Sequence, residues 1–294
     1  MSDEEPAFAA RVAIIGLGLI GGSIARDLAA RGVSVVGHDR DPGAVHDALM
    51  SGVIEASFDE SYEGAAPDVV LLAVPVTAAS AVLQRYAKAC RAARLVTDVG
   101  STKGAILAAA ADAGVQAQFV GSHPLTGDHR SGWTASRTGR FVGARVFLCP
   151  AEKAEATAID LASSLWRLVG AAPELIRAEE HDALVAWSSH LPQFVVCALA
   201  STLYEAGVAR SELGPGGRDT TRLAGSSPDM WTAIADENRD ALTHALDGFQ
   251  ARLRAIQTAL ANHDHESIRS HLEIAREWFD GSSIPKRPVR PPAV

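Results

Sequence analysis

Apolar positions fall into two textures along the chain. Up to about residue 177 they come as short runs rich in Val, Ile and Leu, separated by Gly, Pro and polar turns. Beyond that point they recur every three or four residues through long stretches. Short β-branched runs bounded by turn residues read as buried strands, and the longer spacing reads as helices. Residues 12–15, 33–36, 68–74, 94–98, 117–121, 146–149 and 174–176 are the strand-like runs. Between them, helical spacing covers residues 23–31 with Gly32 as a stop, 42–51, 77–90, a stretch from about Lys103, and about 152–169. Strands alternating with helices predict a parallel, doubly wound α/β sheet. Ligands of such sheets sit at the carboxyl ends of the strands. Ser101 and His123 are both expected just past strand ends, facing one crevice. Residues 126–143 are polar and Gly-rich and read as a loop or lid.

In the second texture, residues 178–205 form one long helix interrupted at Pro192, a position that frees the Ser188 carbonyl. Residues 229–262 and 264–279 give two more helical regions. The expected plan is a sheet domain over 1–177, an all-helical domain over 178–284 and a Pro-rich, basic disordered tail over 285–294.

One stretch carries more than periodicity. Gly16, Gly18 and Gly21 stand in G-x-G-x-x-G spacing between the first strand and its helix, and the second strand runs to Asp39. Gly16 permits the tight turn, Gly18 lets backbone approach a pyrophosphate, and Gly21 lets the helix lie close to the strand. The N–H groups of the helix start face the phosphates. Asp39 can accept both hydroxyls of an adenine ribose and repels a 2′-phosphate, which favours NAD over NADP. Arg40 beside it works the other way, because a guanidinium can hold a 2′-phosphate. Leu19, Ile20, Val74 and Pro75 complete the expected cofactor-binding set.

Composition narrows the class. The chain has 294 residues, 47% of them hydrophobic and 21% charged, with a net charge of −8. The negative balance disfavours nucleic acid and anionic membranes as partners. The acidic start MSDEEPAF is no signal peptide, and the longest unbroken apolar run, residues 69–76, is short of a membrane span. A cytoplasmic protein is expected. Its three cysteines, Cys90, Cys149 and Cys197, lack C-x-x-C spacing and read as reduced, mostly buried thiols. No metal site is expected; His263-Asp264-His265-Glu266 reads as a solvated face.

Three further places carry candidate chemistry. His123, in GSHPLTG, suits a general base for a substrate hydroxyl or a structural turn histidine. His190, beside the proline, suits a buried core histidine or a ligand contact; His181-Asp182 reads equally well as an exposed pair. Arg218 and Arg222 suit either a carboxylate clamp or an ion pair with Asp219.

The set GLGLIGGS, DVGSTKG, GSHPLTG, HDALVAWSSHLP and GGRDTTRLAGSSPDMW, in that order, resembles the prephenate/arogenate dehydrogenase family of tyrosine biosynthesis. The resemblance runs from about Arg11 to Phe279. It implies a Rossmann domain followed by a helical domain that dimerises, and a homodimer as the assembly. It implies that His123 bonds the ring hydroxyl of the substrate and that Ser101 assists there. His190 and Arg222 would bind the substrate, Arg222 through the side-chain carboxylate, with Thr126 and Trp231 completing the pocket and Met230 beside it. The implied reaction is NAD-dependent oxidative decarboxylation of prephenate, with arogenate as the alternative substrate. One departure stands out: His129 occupies a position where the family commonly has a glutamate linked to gating, with Asp128 next to it. A β-hydroxyacid dehydrogenase shares the two-domain plan but needs a lysine on the first interdomain helix, and residues 178–205 contain none. A Rossmann protein that only senses nucleotides has no use for His123, Ser101 and Arg222 together.

Overall fold

The structure, a computed structural model, describes residues 11–59, 62–126 and 130–281. Asp128, His129 and the tail expected at 285–294 lie outside the described residues. Seven strands form one sheet: β1 (Val12–Ile15), β2 (Val35–His38), β3 (Val69–Leu72), β4 (Leu95–Asp98), β5 (Phe119–Pro124), β6 (Arg145–Pro150) and β7 (Ala172–Leu175). Their order is β2-β1-β3-β4-β5-β6-β7. The helices between them are α1 (Leu19–Ala29), α2 (Pro42–Met50), α3 (Val76–Arg85), α4 (Ala87–Ala92), α5 (Gly104–Asp112) and α6 (Ala156–Leu168).

Strand residues alternate between two apolar layers. Val12 and Ile14 join Ile24, Leu28 and Trp166 in one core, while Ala13 and Ile15 join Leu83, Ile106 and Phe119 in the other. Burial on both faces is why the strands read as continuous apolar runs instead of alternating ones. The chain reverses its direction of travel across the sheet between β1 and β3, so the ligand crevice opens at their carboxyl ends.

The structure departs from the sequence expectations at several points. The helix expected at residues 23–31 starts at Leu19, directly after Gly18, and so takes Gly21 and Gly22 inside it. The helix expected at 77–90 breaks at Tyr86, whose buried ring stacks on Phe58 with centroids 5.5 Å apart. The sheet is not wholly parallel: β6 runs antiparallel to β5. Among the described residues no crossover helix separates those two strands, and only a crossover returns a chain parallel. Pairing with β6 also lengthens β5, so His123 lies within the strand, opposite Phe147, and not past its end. The segment expected as a lid is partly core. Trp133 and Phe141 are buried among the α1 and α6 side chains. Its backbone bonds to α1 through Arg137 N–H to Ser23 Oγ and Gly139 N–H to Asp27 Oδ1.

The remaining described residues are mainly helical: α7 (Ala178–Val185), α8 (Leu191–Glu205), α9 (Pro215–Thr220), α10 (Pro228–Glu237), α11 (Arg239–Ala261) and α12 (His265–Phe279). By its contacts the chain divides into two compact units. One runs to Asp182 and also takes Arg222–Glu237; the other is Ala183–Thr221 with the chain from Asn238 onward. By this grouping α10 belongs with the sheet. Between α7 and α8 the residues Ala186–His190 form a π turn. Pro192, in the first turn of α8, has no N–H to donate, and the wider turn absorbs that loss. Taken as one stretch, Ala178–Glu205 is long and apolar enough by length and composition to cross a membrane. Unbroken apolar runs did not reveal it, because its apolar residues are spaced around the helix.

Candidate active site

The glycine loop is built as its spacing predicts. A Cβ on Gly21 would lie 1.9 Å from the Gly16 carbonyl oxygen, so only glycine lets α1 start there. Gly16 has φ +100°, and a Cβ on it would meet the Ala73 carbonyl oxygen at 2.2 Å. Gly18 differs: a Cβ on it would meet nothing within 4 Å. The space beside Gly18 is open, as a pyrophosphate cradle requires. Leu19, Ile20 and Gly21 form the first turn of α1, whose N-cap makes no side-chain hydrogen bond, so its N–H groups have no side-chain cap. Val74 lies against Gly16, and Pro75 caps α3. Asp39 accepts Leu17 N–H at 2.7 Å and Asp41 N–H at 2.8 Å, one at each oxygen. Those bonds aim the carboxylate beside the loop. Arg40 next to it is exposed. These residues fit a dinucleotide.

Behind His123 lies a chain of hydrogen bonds. His123 Nδ1 is 2.8 Å from His181 Nε2, and His181 Nδ1 is 2.7 Å from Asp182 Oδ1. A carboxylate only accepts, so His181 Nδ1 carries the hydrogen and its Nε2 accepts. His123 Nδ1 is then the donor, and Nε2 is left as the basic nitrogen of His123. Asp182 is anchored in turn by Lys103 N–H at 2.9 Å and Gly104 N–H at 2.9 Å, at the start of α5. Burial pushes the Asp182 carboxyl up, but the bonds from His181, Gly104 and Lys103 outweigh it and hold the carboxyl below the ordinary range. The reading of His181-Asp182 as an exposed pair is therefore overturned: His181 is 0% exposed.

A second network ties the ends of β4 and β5 together. Lys103, completely buried, donates to Asp98 Oδ2 at 2.5 Å and to the Ser122 carbonyl at 2.8 Å. Asp98 also accepts Gly100 N–H at 2.7 Å and Ser122 N–H at 3.1 Å. Ser101 and His123 are each one residue from a member of this network. Thr102, buried next to Ser101, donates to Glu237 Oε2 at the end of α10.

The structure gathers His123, Ser101, Thr126, Arg222 and Trp231 into the sheet unit. His190 belongs to the helical unit, where it is buried and its Nδ1 stands 3.2 Å from Asn238 Nδ2. Arg222 is exposed, on a short 3-10 turn. No ion pair between Asp219 and either arginine is present among the described residues. Asp98, Lys103, Asp182 and Glu237 were missed by the sequence reading as site residues. Cys90 on α4 and Cys149 on β6 are inert: burial pushes the Cys90 thiol up to about 11 and the Cys149 thiol up to about 12. His263-Asp264-His265-Glu266 is a helix connection, with His263 at φ +53° and Asp264 capping Ser267 N–H at 3.0 Å.

Comparison with known proteins shows the family. Residues 24–175 match the family description "Prephenate dehydrogenase, nucleotide-binding domain". Residues 177–274 match "Prephenate dehydrogenase, dimerization domain". The chain is 31% identical over 291 residues to a prephenate dehydrogenase of Bacillus subtilis, covering 95% of this chain and 78% of that protein. It is 33% identical over 271 residues to a cyclohexadienyl dehydrogenase of Zymomonas mobilis, covering 89% and 92%. A solved prephenate dehydrogenase from A. aeolicus, in complex with hydroxyphenyl propionate and NAD+, superimposes with a TM-score of 0.83 at 29% identity, covering 92% of this chain and 97% of that one. With both halves matched over most of their length, the chain belongs to the prephenate dehydrogenase family.

Proposed function

We propose that the protein is a cytoplasmic, homodimeric dehydrogenase that converts prephenate to 4-hydroxyphenylpyruvate and CO₂ with NAD. The observation that supports this reading best is the His123–His181–Asp182 chain. It leaves Nε2 of His123 as a base and gives the imidazolium a carboxylate two bonds away. NAD, when bound along the glycine loop and Asp39, supplies the hydride acceptor. His123 takes the proton of the ring hydroxyl as the C–H bond on the same carbon breaks. The ring carboxylate leaves as CO₂, its electron pair completes the aromatic ring, and the resulting phenolate oxygen takes the proton back from His123. Ser101 bonds the same hydroxyl and holds it toward His123. Arg222 binds the side-chain carboxylate, which must stay, and no cation is needed at the carboxylate that leaves. Thr126, His190 and Trp231 complete the pocket. Arogenate is the second reading, favoured by the likeness to a cyclohexadienyl dehydrogenase.

NADH absorbance on adding prephenate or arogenate, each with NAD and NADP, tests substrate and cofactor together. Two variants test the roles. His123→Asn keeps a hydrogen bond but cannot take the proton, so kcat should fall by about two to four orders of magnitude with little change in KM. Arg222→Ala removes a partner used in ground state and transition state alike, so KM should rise steeply and kcat change less. Near-normal turnover in His123→Asn would refute the assignment.

A further inference from the structure

The segment Arg222–Glu237 is unusual in the chain. The residues before and after it belong to the helical unit, yet the segment itself belongs to the sheet unit. It carries Arg222 and Trp231. Ile234 is its buried apolar residue on α10. At its last position, Glu237 accepts a hydrogen bond from the hydroxyl of Thr102, which is 1% exposed. Thr102 is the neighbour of Ser101. The next residue, Asn238, turns to the other unit and meets His190. One end of the segment is thus bonded to the loop that bears Ser101.

We propose that Glu237 is a positioning residue for substrate binding: its bond with Thr102 seats the segment bearing Arg222 and Trp231 against the Ser101 loop. The inference rests on the reading of Arg222 as the carboxylate clamp. Bonds to a half-buried carboxylate are among the stronger side-chain bonds, because the alternative is an unsatisfied group out of water. Burial raises the Glu237 carboxyl above its ordinary range, partly offset by the Thr102 bond, while Asp182 and Asp98 add to the rise and Lys103 opposes it. Glu237 is not a member of the His123–His181–Asp182 chain, although Asp182 is among its electrostatic neighbours, so its loss should loosen Arg222 without removing the base. A merely structural residue would lower stability and leave the kinetic constants of the folded fraction alone.

Four proteins test this: Glu237→Ala, Thr102→Val, the double variant, and Glu237→Gln, whose amide oxygen can still accept the bond. Glu237→Ala and Thr102→Val should each raise the KM for prephenate about tenfold, with the KM for NAD changed less than about twofold. The double variant should be no worse than either single, since all three lack the same bond. Glu237→Gln should restore most of the affinity. Amide hydrogen exchange of the free enzyme gives an arm that needs no substrate. Exchange should quicken across residues 222–237 in Glu237→Ala and stay near wild type in Glu237→Gln. Additive effects in the double variant, unchanged prephenate KM in both singles, or unchanged exchange in Glu237→Ala would each overturn the proposal. If the wild type fails to oxidise prephenate while exchange behaves as expected, the positioning stands and the substrate assignment falls.

Discussion

His123 owes its tautomer to residues far from it in sequence. Asp182 is held by the first N–H groups of α5, and it directs the His181 proton, which directs that of His123. Asp182→Asn keeps a side chain of the same shape but removes the charge that stabilises an imidazolium. The acid limb of the kcat profile should therefore move to lower pH, and kcat should fall about tenfold or more. A pH–rate profile of both proteins checks this. Stability should respond too. Because the folded Asp182 carboxyl lies below its unfolded value, its contribution is present above the ordinary carboxylate range and is lost as pH falls through the depressed folded value. Asp182→Asn should flatten that part of a urea-melting curve taken against pH. The pair was hidden in the sequence because it follows Glu179 and Glu180, which are exposed. A signal was nonetheless there: Ala178, His181 and Val185 are the buried stripe of α7, at helical spacing. His123 was legible because Pro124 and the flanking glycines mark a strand end, although the strand runs further than its apolar run suggested.

Elements, more than single residues, were legible in the sequence. The run of strand, three glycines, helix and Asp39 reads directly, because each glycine answers a steric demand that the sequence spacing already encodes. The start of α1 was misplaced because Gly21 and Gly22 are poor helix formers, yet a Cβ on Gly22 would lie 2.9 Å from Trp133 and Ser136 side-chain atoms. Those contacts come from a segment more than a hundred residues on, and no local pattern announces them. DVGSTKG gives the same lesson. It runs only from the end of β4 to the first residue of α5, yet it supplies Asp98, Thr102 and Lys103 to two networks. The buried Lys103–Asp98 pair invites a direct test. Lys103→Met fills the space but leaves the Asp98 charge without its cation, so it should cost about 3–5 kcal/mol in urea unfolding. Adding Asp98→Leu should not recover the loss in full, because Asp98 also accepts the N–H groups of Gly100 and Ser122. A Lys103→Met protein as stable as wild type would show that the pair contributes no net stability.

At the scale of the whole molecule, the helical unit is incomplete as a single chain. No residue of α12 is buried, though Leu272, Ile274, Trp278 and Phe279 are 67%, 55%, 70% and 83% exposed. Leu253 and Leu260 on α11 and Tyr204 on α8 are exposed as well. Apolar surface on this scale marks an interface, and symmetric pairing of identical chains is its commonest use. The same surface explains why Ala178–Glu205 is apolar enough to resemble a membrane span while buried over 28% of its apolar window. The match of residues 177–274 to a dimerisation domain favours a second copy as the occupant. Light scattering at micromolar concentration should therefore give twice the 30.8 kDa chain mass. Replacing Leu272 and Trp278 together by Asp places charges on a face expected to be desolvated, where each buried unpaired charge costs several kcal/mol. That variant should shift toward the monomer mass, and its melting temperature should depend on protein concentration less steeply than that of the wild type. A monomeric wild type, or a double variant that dimerises as well as the parent, would show that α12 faces something other than a second copy of the chain.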